Sequence, residues 1–341
     1  MSAIDAESQI RFLTNIQRLL DEGRFVASYK FALLLSLADL AVELGDDSAR
    51  ELEIPTRKIA EKFVLYYWRQ ALPYPKAGEK PTVLRQNTGK RAAIVSKIMK
   101  TQHDIGHSIT HVRSDKVIWH RLLREVDRTV RLMPLWKLQT IGGEQADFLY
   151  ESRGTGHSVR LRPGVGYCFR KFHGLISDLV RGAWLRYVRR TNQSTLGATT
   201  DLSDFLFGAE RSQLGSVRAV LRDLQQGECF YCRKPVTSSA HVDHFIPWAR
   251  YPVDLGHNFV LAHAGCNSAK GDRIASRRHL DRWIDRNLQD GTLVDELLRD
   301  RDVVCDLTTS WRITHWAYRS TDSSRIGTTS CWDSFVTSDR S

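Results

Sequence analysis

Two short motifs in the C-terminal third of the chain carry residues that bind metals. Cys229 and Cys232 form a C-x-x-C pair, and His263 and Cys266 form an H-x-x-C pair after thirty intervening residues. Each pair can present two ligands from one tight turn, and two such pairs supply the ligands of a closed tetrahedral zinc site. Ordinary buried cysteines or a redox C-x-x-C are the alternatives, but neither explains the second pair. The spacing therefore predicts a structural Zn²⁺ site with no position open for water.

A titratable pair, Asp243 and His244, lies between the two motifs. Residues 241–247 alternate like a short strand, so the two side chains are expected on opposite faces unless a bend or bulge intervenes. A second apolar strand is expected at residues 258–262, and Asn267 is expected to open a helix. Strand, strand and helix, in this order, form the shape of a ββα-metal unit.

The segments VDHFIP, HNFVLA and CNSAKGD resemble the motifs of HNH endonucleases of the zinc-knuckle subgroup. In that family the histidine after the aspartate is the general base, which implies this role for His244. The preceding aspartate and the helix-opening asparagine hold a divalent cation, which implies Asp243 and Asn267 as its ligands. The middle asparagine of the motif is Asn258, and its implied part is to hold the loop and orient the base.

This resemblance has limits in extent and in detail. It covers about 45 of the 341 residues, and the N-terminal two thirds resemble no family that we recognise. The second metal pair begins with His263 where cysteine is commoner, a change that zinc tolerates. The third catalytic position is an asparagine, which makes this an H-N-N version of the motif.

The residue types also fit phosphodiester hydrolysis without appeal to the family. This reaction needs a nucleophile made from water and relief of the charge that builds on the phosphate and the leaving oxygen. An imidazole can take the proton of water near neutral pH, and the oxygen ligands of Asp243 and Asn267 suit Mg²⁺ or Mn²⁺. Lys270 and Arg273, spaced to lie near one helix face, are candidates for phosphate contact, with a solvated basic face as the alternative.

The balance of charge agrees with a nucleic-acid partner. Fifty Lys and Arg against 39 Asp and Glu give a formal charge of +11, which favours polyanions. Residues 80–100 hold six basic and no acidic residues, and residues 160–190 hold eight basic residues against one acidic residue. These stripes are candidate docking surfaces, although each can equally be the solvated face of a helix. The candidate contact residues within them are Lys90, Arg91, Arg181, Arg186 and Arg189.

The chain is expected to be soluble and cytoplasmic. It has no apolar run of eighteen residues, and its polar start, MSAIDAESQIRF, lacks the apolar region of a signal peptide. The cysteines outside the two metal pairs are too scattered to suggest a disulfide framework, which fits a reducing compartment. No membrane partner is therefore expected.

The length of 341 residues predicts two or more domains, of mixed α+β class and mostly helical. A helical domain is expected at 1–130, where FALLLSLADLAVEL predicts a buried helix. A short β segment and a long basic helix are expected at 131–194, in a regulatory or DNA-docking role. The zinc-stapled ββα-metal module is expected at 205–290, and an extension with a loose tail at 291–341.

The predicted function is a metal-dependent endonuclease that cuts DNA, with RNA as a less favoured substrate. The resemblance implies products with a 5′-phosphate and a 3′-hydroxyl. The N-terminal region would supply substrate recognition, regulation or dimerisation, including contact with a protein partner. A zinc-stabilised nucleic-acid-binding module without catalysis is the alternative, although such a module has no need of Asp243, His244, Asn258 and Asn267 together. A second alternative is a toxin, or a defence effector of restriction or antiviral type, held inactive until its N-terminal part senses a signal, and it shares the same chemistry.

Overall fold

The computed structural model describes seven stretches of the chain: residues 4–75, 81–89, 92–151, 156–196, 202–208, 214–237 and 239–321. The chain divides into two compact units. Unit 1 consists of Met1–Ser108 and Val112–Gly208, and unit 2 consists of Ile109–His111 and Ala209–Ser341. The fold is mostly helical with a few short strands, which confirms the expected α+β class. Among the described residues, every helix is too short or too polar to span a lipid bilayer.

Unit 1 is built from helices joined by two small antiparallel sheets. Its helices are α1 (Ala6–Glu22), α2 (Tyr29–Leu44), α3 (Thr56–Gln70), α4 (Ala93–Ile105), α5 (Ile109–Ser114), α6 (Lys116–Leu132), α7 (Pro134–Lys137), α8 (Val165–Lys171), α9 (His173–Thr191) and α10 (Leu202–Phe207). Its strands are β1 (Leu52–Pro55), β2 (Thr140–Ile141), β3 (Glu144–Gln145) and β4 (Ser158–Leu161). The boundary with unit 2 falls within α5.

Helix α2 occupies the centre of unit 1 because it is apolar on almost every side. Fourteen of its sixteen residues are buried, most of them apolar, and the buried Asp39 and Glu43 are paired within the unit. It packs against α3, α8 and α9. The prediction of a buried helix in this run of leucines and alanines is confirmed.

The β segment expected within residues 131–194 pairs with the N-terminal helical region. Strand β4 lies antiparallel to β1, in a register that runs from Leu52 opposite Leu161 to Pro55 opposite Ser158. Strands β2 and β3 form a separate hairpin. Residues 1–130 and 131–194, which we expected as separate regions, thus contribute to one unit.

A buried ionic network joins α2, α3 and α9. The Asp39 carboxylate accepts a hydrogen bond from the Tyr66 hydroxyl at 2.7 Å and lies 2.8 Å from Nε2 of His173. One helical turn further along α2, the Glu43 carboxylate pairs with the ammonium of Lys62 on α3. Burial lowers the pKa of Lys62, but the charges of Glu43 and Asp39 outweigh it and raise the pKa above its ordinary value. Lys62 is therefore held as a cation inside the unit.

Unit 2 carries the two predicted metal-ligand motifs. Its helices are α11 (Leu214–Leu224), α12 (Ala264–Lys270), α13 (Arg277–Arg299) and α14 (Leu307–Arg319), and its strands are β5 (His241–His244) and β6 (Phe259–Ala262). Strand β5 pairs antiparallel with β6, from His241 opposite Ala262 to His244 opposite Phe259. Helix α13 runs unbroken through the boundary that we expected at residue 290. The tail predicted to be loose lies outside the described residues from 322 onward.

The buried network predicts that replacing either of two lysines, one turn apart on α3, lowers the stability of unit 1 by very different amounts. Lys62→Met leaves Glu43 without its buried partner, so we expect a loss of about 3–5 kcal/mol in the stability of unit 1. Lys58→Met removes an exposed pair with Glu61 and should cost less than about 1 kcal/mol. Native-state amide hydrogen exchange in α2 and α3 measures both changes without interference from unit 2. Equal protection in the two variants would contradict a structural role for the buried pair.

Candidate active site and metal centre

Two four-residue strands and a short helix position the candidate site. Helix α12 begins at Ala264 directly after His263, so the expectation that Asn267 opens this helix is wrong. Strand β6 ends at Ala262, and the next residue, His263, is the N-cap of α12. Asn267 therefore lies in the middle of α12, and Lys270 is its last residue.

The two predicted metal-ligand motifs meet in space. One ligand atom from each of Cys229, Cys232, His263 and Cys266 lies within 4.8 Å of the others, a group that could hold a metal ion. Nδ1 of His263 lies 3.3 Å from Sγ of Cys232 and 4.0 Å from Sγ of Cys266. Three sulfurs and one imidazole nitrogen at this separation fit a closed tetrahedral zinc site.

Contacts around the four ligands fix their orientation. Nε2 of His263 lies 3.0 Å from the carbonyl oxygen of Pro235, so a proton on Nε2 leaves Nδ1 facing the sulfurs. The backbone N–H of His263 points at Sγ of Cys229 at 3.4 Å. Burial raises the pKa of the Cys232 thiol, but hydrogen bonds from the backbone of Lys234 and from the neighbouring ligands outweigh it and lower the pKa. The surroundings thus favour the thiolate that binds a metal.

An open cleft of about 310 Å³ lies beside β5 and α12. Its lining includes Asp243, His244 and Asn267, together with Trp248 and Lys270. Asp243 and His244 were expected on opposite faces of a strand, yet both reach this cleft. His244 is the last residue of β5, next to the turn whose Pro247 and Trp248 continue the lining of the cleft.

The imidazole of His244 is held on several sides. Its Nε2 lies 2.7 Å from Oδ1 of Asp254, a residue of the loop between the strands. Its ring packs edge-on against Phe259 and Trp248, with ring centroids 4.9 Å and 5.2 Å away. With the Nε2 proton directed at Asp254, the Nδ1 lone pair is available to accept a proton.

Asp243 is more enclosed than its sequence position suggested, with 7% of its surface exposed. It accepts a hydrogen bond from the Tyr231 hydroxyl, and Nζ of Lys270 lies 3.1 Å from its Oδ1. Burial raises the pKa of Tyr231 well above its ordinary value, and the charge of Asp243 raises it further. The phenol therefore stays protonated and keeps donating to the carboxylate.

Lys270 turns inward rather than toward solvent. Its side chain is 1% exposed, and it also donates to the carbonyl oxygen of His244 at 2.7 Å. Burial lowers the pKa of Lys270, and the negative charge of Asp243 opposes this effect without cancelling it. Lys270 thus ties the end of α12 to the end of β5.

Asn258, the asparagine predicted to hold the loop, contacts the backbone of Ile246. Oδ1 of Asn258 accepts from the backbone N–H of Ile246 at 2.8 Å, and its Nδ2 donates to the carbonyl of Ile246 at 3.0 Å. Asn258 is buried, and this two-bond clamp joins the start of β6 to the turn that follows His244. Its amide does not line the cleft.

The other predicted nucleic-acid contacts lie in different settings. Arg273 follows α12 and donates to the carbonyl of Ala269 at 3.0 Å. On α9, Arg186 and Arg189 are exposed, whereas Arg181 is half-buried over the ring of Phe207. Lys90 and Arg91 lie outside the described residues.

Two contacts of the site were missed at the level of sequence. Asp254 stands in an irregular loop ten residues after His244, where no periodic pattern draws attention to it. Tyr231 lies inside the C-x-x-C motif, but nothing in that motif tells which way its side chain points. A search for acidic residues in the loop between the two strands would have found Asp254 as a candidate.

Two family models match this chain, one in the N-terminal part and one over the metal-ligand motifs. Residues 9–206 match a domain of unknown function, DUF8808, and residues 229–273 match the HNH endonuclease family, which confirms the resemblance drawn from the motifs. No curated protein and no solved structure matches the chain. Because the first match spans more than half of the 341 residues, the chain belongs to the DUF8808 family, and it carries an HNH endonuclease domain near its C-terminus.

Proposed function

We propose that this protein is a metal-dependent endonuclease that hydrolyses phosphodiester bonds in DNA, with its active site in the cleft of unit 2. One observation carries the proposal. An oriented imidazole, a carboxylate and a carboxamide, those of His244, Asp243 and Asn267, line the same open cleft within a domain of the HNH endonuclease family. The excess of basic residues supports a polyanionic substrate.

In this proposal His244 is the general base. Its Nδ1 takes a proton from water as the water attacks the scissile phosphorus, while Asp254 keeps the Nε2 proton in place and stabilises the imidazolium that forms. The edge-on contacts with Phe259 and Trp248 restrict rotation of the ring. Asp254 is thus a positioning residue, and His244 is the group that meets the nucleophile.

The oxygens of Asp243 and Asn267 fit a hard divalent cation. A carboxylate offers about four lone-pair directions, and the hydroxyl of Tyr231 and the ammonium of Lys270 take up two of them. Asp243 and Asn267 would hold Mg²⁺ or Mn²⁺, which would supply positive charge at the phosphate and its leaving oxygen. With one carboxylate in this ligand set, the ion would remain electrophilic.

Lys270 and Tyr231 hold Asp243 in place rather than meeting the substrate. Each donates to the carboxylate from a different element, Tyr231 from the metal-ligand motif and Lys270 from the end of α12. The two contacts fix the carboxylate in one direction, and the ammonium of Lys270 balances its charge. We therefore assign Lys270 a structural part at this site in place of the phosphate contact expected from its spacing.

Cleavage of supercoiled plasmid by the full chain with Mg²⁺ or Mn²⁺ tests the proposal. The wild type should nick or linearise the plasmid, and His244→Ala should lower the rate by about 10²–10⁴-fold, because general-base catalysis contributes about this much. Zinc content measured on both proteins shows whether the variant is folded. A wild type that binds DNA but does not cut it would favour the alternative of a non-catalytic binding module.

The contact between His244 and Asp254 predicts an effect on turnover rather than on binding. Asp254→Asn replaces an obligate acceptor with an amide that can donate to Nε2, which places the proton on the wrong nitrogen. We expect kcat to fall at least about tenfold with little change in KM. The matched control is Asp281→Asn, which removes an exposed carboxylate paired with Arg277. An equal effect of the two substitutions on kcat would rule out the positioning role.

The metal-ligand cluster predicts one zinc per chain. Cys266→Ser should lower the zinc content well below one and expose β5, β6 and α12 to proteolysis, because binding of structural zinc is worth about 10–16 kcal/mol in small domains. Cys305→Ser, in the same unit but outside the cluster, should keep the zinc. Elemental analysis and limited proteolysis measure the two effects. Full zinc content in Cys266→Ser would show that the four residues do not act together.

A further inference from the structure

A second cavity of unit 2 is lined by three arginines and lies beside the metal-ligand motif. It encloses about 160 Å³, and its wall includes Arg233, Arg282, Arg286 and Glu228, together with Phe230 and Cys229. Arg282 and Arg286 stand four residues apart on α13, so they share one face of that helix. The proposed mechanism uses none of these side chains.

The guanidinium groups at this cavity are fixed by the backbone. Arg282 donates through Nη1 to the carbonyl oxygens of Phe230 and Tyr231, and its guanidinium lies over the ring of Phe230. Arg286 donates to the carbonyl of Phe259 at 2.6 Å and to that of His257 at 2.6 Å. Each group is therefore oriented before any ligand arrives, which lowers the entropic cost of binding.

Donor capacity at the cavity exceeds what the protein itself uses. Nε of Arg286 is buried without a hydrogen-bond partner. That atom is enclosed by protein, so a ligand would meet the remaining N–H groups of Arg282 and Arg233. A guanidinium has five N–H donors, and Arg282 donates through Nη1 and Arg233 through Nε. Arg233 lies at the rim with 63% of its side chain exposed, and Glu228 accepts from its Nε at 2.9 Å.

The positive charges at this cavity repel one another. Burial lowers the pKa of Arg282, and the charges of Arg233 and Arg278 lower it further. Burial also lowers the pKa of Arg286, to about 10. Glu228 and Cys229 also line the cavity, and their charges oppose this effect on the pKa of Arg282, but the three arginines remain in excess. A bound anion would reduce this repulsion.

We infer that this cavity binds a phosphate group of the nucleic-acid backbone and so holds the substrate at a point away from the scissile bond. Planar guanidinium groups recognise phosphate oxygens through paired N–H bonds, and such contacts fix the register of a nucleic acid without reading its sequence. The inference rests on the proposed function for the identity of the polyanion.

Adjacent residues of one motif connect the cavity to the cleft. Phe230 lines the cavity, and the hydroxyl of the next residue, Tyr231, donates to Asp243 in the cleft. The carbonyl of Tyr231 accepts from Arg282, so a single residue touches the anchoring arginine and the proposed metal ligand. A backbone phosphate held by the arginines would therefore lie next to the segment that contains Tyr231, the residue that orients Asp243.

Anisotropy titrations of a labelled DNA duplex test the inference, with the full chain in a His244→Ala background to prevent cleavage. Arg233→Gln should weaken binding about three- to tenfold and reduce the slope of log K against log salt by about 0.9, the value for one phosphate contact. Glu228→Gln should strengthen binding, because it removes the negative charge that competes with the phosphate. Both positions are at the exposed rim, and circular dichroism and zinc content verify the fold.

The matched control is Arg299→Gln, on the same helix but paired with Asp295 outside the cavity. If Arg233→Gln and Glu228→Gln both bind DNA with the affinity and salt slope of this control, the cavity is not a phosphate site. Plasmid cleavage by the chain with His244 intact separates the two proposals. If the chain cleaves plasmid and the cavity variants bind DNA as the control does, only the phosphate site is overturned. If Arg233→Gln weakens DNA binding but the chain cleaves no plasmid, only the nuclease proposal is overturned.

Discussion

The convergence of four metal ligands is the constraint on which the candidate site depends. Strands β5 and β6 have four residues each and α12 has seven, and elements this short do not persist alone in water. Cys229 and Cys232 precede the first strand, and His263 and Cys266 surround the start of the helix. A metal at the cluster would close the loop between them, so that the ends of β5 and α12 face each other across the cleft.

The pairing of Asp243 with Lys270 shapes what the cleft can bind. A buried charge is costly unless it is paired, and a hard metal binds the charged carboxylate. Lys270 supplies positive charge from the protein, while the cleft stays open on the side of Asn267. However, a divalent ion that binds this carboxylate would be repelled by the ammonium of Lys270 beside it. An ion held by one carboxylate and one amide in such surroundings would bind weakly and exchange readily, which suits a metal that also has to bind a phosphate.

The sequence predicted the parts of this site that depend on local spacing. The C-x-x-C and H-x-x-C pairs correspond to a ligand cluster, and the alternating segment at 241–247 corresponds to a strand that ends at His244, because turn and strand geometry act over a few residues. The inward turn of Lys270 and the contact of Asp254 with His244 depend instead on how the loop between β5 and β6 folds back. The same limit applies to β1 and β4, whose pairing joins residues more than one hundred positions apart.

The positions of the arginines show why counting charges along the sequence does not identify a basic surface. Arg170 belongs to the basic stripe at 160–190, yet it is buried and donates to carbonyls near the C-terminal end of α2, among them those of Val42 and Gly45. There it satisfies backbone groups that the helix leaves unpaired, and it contributes little to a docking surface. On α13 the situation is reversed. Asp281 and Asp285 each precede an arginine in sequence, so the segment looks nearly neutral, but the helical period turns Arg282 and Arg286 together into one cavity. A basic site that acts on a polyanion is therefore defined by which side chains share a face and by what the backbone does with their donors.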